Sequence, residues 1–107
     1  MTNVRIDDLR PCLEAALTFR SAAQAALAER LATRRIDDEQ RAAHGFAWIA
    51  TSVAALEATL DWARAGAGAN RLDAMVARLA FAETIGQLAG GLPMGQNELV
   101  RPSDLGI

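Results

Sequence analysis

The chain has no lysine and no tyrosine, a single cysteine, a single histidine, and only 5% aromatic residues. Few side chains are therefore available to stack on nucleic-acid bases. All 11 basic residues are arginine, and they are scattered. Only Arg34 and Arg35 are adjacent, and Asp37, Asp38 and Glu39 follow them at once. With a net charge of −2, no nucleic-acid footprint is present. One histidine, His44, supplies neither a histidine pair nor a histidine-based metal site. The residue three before it is Arg41, so the Glu-x-x-His motif of dimetal bundles is missing. Cys12 alone cannot form an internal disulfide, which fits a reducing, cytoplasmic setting. The first residues are charged throughout and lack the apolar core of a secretory signal. No uninterrupted apolar run reaches the roughly 18 residues of a membrane span.

The 107 residues that are present make one domain by length. Hydrophobic residues form 51% of them, much of it alanine, which favours helix but buries little area per residue. The chain centres on Ala42–Ala63, the longest amphipathic stretch. There Phe46, Ile49, Val53, Leu56, Leu60 and Ala63 recur at steps of three and four, one face of a helix. Trp48, Ala55 and Trp62 form a second stripe beside it. Two adjoining apolar stripes predict a helix covered by two neighbours.

Three helices are predicted, over about residues 8–34, 37–65 and 70–90, giving an all-α, antiparallel three-helix bundle within residues 1–92. Asp7 or Asp8 can cap the first helix, with Pro11 in its first turn. Leu9, Leu13, Ala16, Leu17, Ala23, Leu27 and Leu31 trace its core face, with Phe19 at the border. Asp37 or Asp38 can cap the second helix. Gly45 inside that helix either marks a close backbone contact or is incidental. Residues 66–70 form the clearest connector, and Asn70 can cap the third helix. Leu72, Met75, Val76, Leu79, Ile85, Leu88 and Leu92 are its expected apolar positions, with Phe81 at the edge, and Gly90-Gly91 is its stop. The tail, residues 93–107, has no helical stripe and no useful strand-like alternation. It is nonetheless too apolar for a disordered segment, so it is expected to pack on this bundle or on a region outside this chain. No internal repeat is convincing.

The candidate chemical groups are thin. Cys12 reads as a buried, inert thiol. Glu57 and Asp61 lie one turn apart, either as a carboxylate pair for metal or acid–base work or as a solvated edge with Arg64 as partner. Gly90–Gly95 lacks the Gly-Lys-Ser/Thr of a phosphate loop and reads as a helix stop and turn. Trp48 and Trp62 are either core packing or a docking surface, and their place on a core helix favours packing.

Two stretches carry a resemblance. The first is His44-Gly45-Phe46-Ala47-Trp48-Ile49-Ala50-Thr51, followed by Val53, Leu56 and Trp62-Ala63. The second is Ala80-Phe81-Ala82-Glu83, then Gln87 to Gln96, Glu98, Val100 and the run Arg101-Pro102-Ser103-Asp104-Leu105-Gly106. Together they resemble the N-terminal helical extension of bacterial acyl-CoA dehydrogenase-like flavoproteins, over most of residues 36–106. The final run is the most specific part. The resemblance implies a parent enzyme in which FAD sits between a β-domain and a C-terminal helical domain. There a glutamate takes the α-proton of the acyl thioester and a hydride passes to the flavin. None of those regions matches this chain, so no catalytic or cofactor-binding residue carries over, and neither Glu83 nor Glu98 takes that role. The expectation is a helical module, a fragment of such an enzyme without an active site or cofactor of its own. Its partner would be the dehydrogenase body or another subunit. Trp48, Trp62, Pro93, Met94, Arg101 and Leu105 are the expected packing or interface residues. The alternative is a free-standing interaction module that forms a homodimer, with neither nucleic acid nor membrane as partner.

Overall fold

The computed structural model describes residues 5–66 and 71–107. It contains α1 (Arg10–Thr33), α2 (Gln40–Ala65), α3 (Arg71–Gly90), and a minimal hairpin of β1 (Leu92–Pro93) and β2 (Leu99–Val100). Short 3₁₀ turns precede α1 at Ile6–Leu9, precede α2 at Ile36–Glu39, and close the chain at Pro102–Leu105. The all-α bundle read from the sequence is the observed fold. Its antiparallel order is fixed by contacts at both ends of the first helix pair. Arg30 near the end of α1 reaches Glu39 at the start of α2, and Arg64 at the end of α2 reaches Asp7 before α1. Asn70, the expected cap of α3, lies outside the described residues.

The core follows the predicted faces of the first two helices. Leu13, Ala16 and Ala23 of α1 are buried against Ile49, Val53, Leu56, Leu60 and Ala63 of α2. Leu17, Phe19, Leu27 and Phe46 pack at its margin. Alanines at the contact let the helix axes approach closely, so the core is narrow. The caps differ from expectation. Asp7, Asp8, Asp37 and Asp38 sit in the 3₁₀ turns, and the N-cap positions belong to Leu9 and Glu39, neither making a side-chain cap bond. An Arg-Ile-Asp-Asp sequence thus builds the same turn twice, at Arg5–Asp8 and Arg35–Asp38, each closed by the Asp backbone N–H donating to the Arg carbonyl at 3.0 Å. That short repeat escaped the sequence reading because four residues carry no periodic signal.

The third helix departs most from its predicted face. Ala77, Phe81 and Leu88 are buried, and Ile85 packs beside them. Phe81, expected at the edge, is instead one of the largest fully buried side chains. Leu72, Met75, Val76 and Leu79 are exposed. The α3 sequence carries apolar residues on two faces. The face with Ala77, Phe81 and Leu88 is the one that finds neighbours, and the other stays outside.

The tail is not extended. Leu92 pairs with Val100 and Pro93 with Leu99 in antiparallel register. Gly91, at φ 149°, makes the turn out of α3, as the glycine stop implied. Leu92, Met94, Val100 and Leu105 are all buried in the same core. The strands were missed because two-residue pairings are too short to alternate.

Candidate functional site

Two apolar surfaces and one buried ionic cluster are the features from which a function can be built. The first surface is the outer side of α3. Leu72, Met75, Val76 and Leu79 occupy i, i+3, i+4 and i+7, with relative exposures of 64, 53, 45 and 68%. That spacing is one helical face, and this one points away from the core. Further along the same side lie Ala82, Glu83 and Gly86, all exposed, and an added Cβ at Gly86 would meet nothing within 4 Å.

The second surface is the tryptophan side of α2. Trp48 and Trp62 are 39 and 48% exposed, and Ala55 between them is exposed too. The packing role favoured by the sequence is therefore corrected for both tryptophans. α2 has one buried stripe, and its neighbours α1 and α3 both lie against that stripe. His44 is exposed on the same surface, its ring edge-on to Trp48 at 6.3 Å between centroids.

The tail residues divide. Met94 and Leu105 are buried against this chain's own bundle, while Pro93 and Arg101 are exposed. Val100 explains Gly45: a Cβ there would come within 2.7 Å of Val100 Cγ2. The interior glycine marks a close contact, but with a side chain rather than another backbone. At the far side of the tail, the Arg30 guanidinium donates to the Asp104 carbonyl at 3.1 Å. The Arg101 backbone N–H donates to the Asp104 carboxylate at 2.8 Å, and Gly106 closes the turn at φ 76°. Pro102 and Ile107 then wall a shallow apolar groove of about 430 Å³ with Phe19, Ile85 and Leu88.

Glu39, read from the sequence only as one of the acidic run at the start of the second helix, is a buried charged residue. It is 7% exposed and accepts hydrogen bonds from Arg34 at 2.6 Å and Arg30 at 3.3 Å. The Arg34 bond leads in holding its carboxyl below the usual range, burial opposes it, and Arg30 assists. Arg30 therefore ties three segments together: α1, the start of α2 and the tail. Glu39 occupies the position that Leu9 fills in the first Arg-Ile-Asp-Asp turn, which is also buried. A carboxylate can replace leucine there because both arginines reach it.

The remaining candidates do not assemble into chemistry. Cys12, expected to be buried, is exposed, because the core face of α1 starts at the next residue, Leu13. Glu57 and Asp61 are both on the surface. Arg64, the expected partner of Asp61, bonds Asp7 at 3.2 Å instead. Among the described residues no group of three or more His, Cys, Asp or Glu side chains could hold a metal ion. No helix among them is long and apolar enough to cross a membrane.

The chain is 36% identical over 94 residues to a (2S)-methylsuccinyl-CoA dehydrogenase of Cereibacter sphaeroides, a match covering 79% of this chain and 17% of that protein. The chain thus spans well under two thirds of the relative's length. No protein-family model matches the chain, and no solved structure matches it. The likeness supports a link to the acyl-CoA dehydrogenases.

Proposed function

We propose that this chain is a helical packing module of an acyl-CoA dehydrogenase-like flavoprotein, with no active site of its own. The observation that carries the reading is the 36% identity to a dehydrogenase over 79% of the chain. The exposed apolar sides of α2 and α3 are consistent with it, since uncovered apolar rows mark contact surfaces. In this reading FAD belongs to the parent enzyme, and the bundle contributes contact area, holding the dehydrogenase body or a neighbouring subunit in place. Trp48 and Trp62, with Pro93 and Arg101, are the side chains available for that contact, because they face outward. Met94 and Leu105 serve instead to hold the tail on the bundle.

Reading the coding sequence beyond the Ile107 codon tests the covalent form of this proposal. A frame that runs on into a dehydrogenase-like body is the expected result. A stop codon, together with a purified 107-residue protein that binds FAD stoichiometrically, would overturn it.

A further inference from the structure

We propose that the tail, residues 99–107, is a strap latched through Arg30, and that Glu39 is the positioning residue that sets the latch. The turn between α1 and α2 and the strap then hold or open together. This stands apart from the link to the dehydrogenases, because it follows from the packing of this chain alone. The starting observation is that one turn is built three times, at Arg5–Asp8, Arg35–Asp38 and Arg101–Asp104. In each, the Asp backbone N–H donates to the Arg carbonyl, at 3.0, 3.0 and 2.9 Å. In each, the next residue is buried: Leu9, Glu39 and Leu105. Two of the three turns are thus plugged by leucine. Plugging the turn needs no charge, and a buried carboxylate held by arginine is often no more stable than an apolar side chain of similar volume. What distinguishes Glu39 from the two leucines is the group it holds.

That group is Arg30. Its guanidinium donates from one terminal nitrogen to Glu39 at 3.3 Å and from the other to the Asp104 carbonyl at 3.1 Å. The fork is planar and rigid, so a carboxylate that fixes one nitrogen also aims the other. Arg34 holds the second carboxylate oxygen at 2.6 Å and keeps Glu39 in place. The strap has few other fastenings. Val100 and Leu105 are buried, while Arg101, Ser103, Gly106 and Ile107 are exposed. A segment with so few buried side chains opens at lower cost than the bundle as a whole. The Arg30 bond is charge-assisted, hence stronger than a neutral one. Without the carboxylate, the partly exposed Arg30 side chain turns to water and the strap loses that bond, although the bonds of Glu39 itself go to the two arginines. The coupling is reciprocal: a released strap also loosens the hold of Arg30 on Glu39. Opening withdraws Val100 from its place against Gly45 and removes the Pro102 and Ile107 wall of the apolar groove beside Phe19.

Hydrogen exchange of the 107-residue protein, followed amide by amide by NMR, reads the latch directly. The reporters are the amides of Asp104, Gly106 and Ile107, each bonded within the strap's turn. The amides of Val53 and Leu56, in the buried stripe of α2, report opening of the whole bundle. Glu39→Leu keeps the turn plugged, as leucine does in the other two, but removes the group that aims Arg30. It should speed exchange at the three reporters by about fivefold or more and leave Val53 and Leu56 no faster. Arg30→Met should speed the same reporters, and adding Glu39→Leu to it should change them by less than about twofold, because both act through one bond. Reporters that Glu39→Leu leaves unchanged overturn the inference. So does an acceleration shared equally by Val53 and Leu56, or an effect of Glu39→Leu that persists undiminished beside Arg30→Met. A Glu39→Leu chain that does not fold overturns it too, since the turn itself would then need the carboxylate.

Discussion

Gly45 and Gly86 are both glycines inside helices, and their surroundings make them opposites. At Gly45 a methyl group would press into Val100 Cγ2 at 2.7 Å, with Val100 Cβ at 3.2 Å. Gly45→Ala should therefore destabilise the fold by about 1–2 kcal/mol, overpacking outweighing the gain in helix propensity. Gly86→Ala meets open space and should stabilise the monomer by up to ~1 kcal/mol. Urea denaturation at low protein concentration measures both. Glu39 gives a pH signature. Its carboxyl is held below the usual range when folded, so it binds fewer protons folded than unfolded. Its stabilisation is complete above the ordinary carboxylate range and is lost as pH falls through the lowered folded value. Glu39→Gln should remove that component, giving a flatter acid limb in a stability–pH titration and lower stability at neutral pH. The sequence could not single out Glu39, because its partners Arg30 and Arg34 come from the preceding helix and its end.

At the scale of elements, legibility followed periodicity. The core faces of α1 and α2 were readable because Leu13 to Leu27 and Ile49 to Ala63 repeat at a single helical period. The third helix was misread because it offers two apolar faces, and periodicity cannot say which one finds a neighbour. Ala77 and Phe81 took the core, and the bulkier row of Met75, Val76 and Leu79 was left outside. The tryptophan stripe failed for a related reason: α2 has one covered side, and Trp48 and Trp62 are off it. Their fluorescence should be that of water-exposed indoles, readily quenched by iodide, and Trp48→Phe or Trp62→Phe should change stability by less than ~1 kcal/mol. The tail was recognised as too apolar to be free, although its hairpin was not foreseen. Leu105 anchors it, being buried beside Arg30's bond to the Asp104 carbonyl. Leu105→Ala should cost about 2–4 kcal/mol, and hydrogen exchange should speed up first in residues 99–107.

At the scale of the molecule, the proposed function is that of a bundle acting by contact. Its titratable groups are dispersed over the surface or, in Glu39, committed to holding segments together. Its unused chemistry is apolar area on α2 and α3. The candidate site was only partly legible for that reason: outward-facing rows look like core rows until neighbours are placed. The reading as a packing module of an acyl-CoA dehydrogenase-like flavoprotein is tested most directly by isolating the protein from its own cells under native conditions. Its peptide composition and visible spectrum are the quantities to record. The account predicts dehydrogenase-body peptides in fixed stoichiometry with the bundle, in one polypeptide or in a tight complex, together with an oxidised flavin spectrum. A bundle recovered with no dehydrogenase polypeptide and no flavin would contradict it.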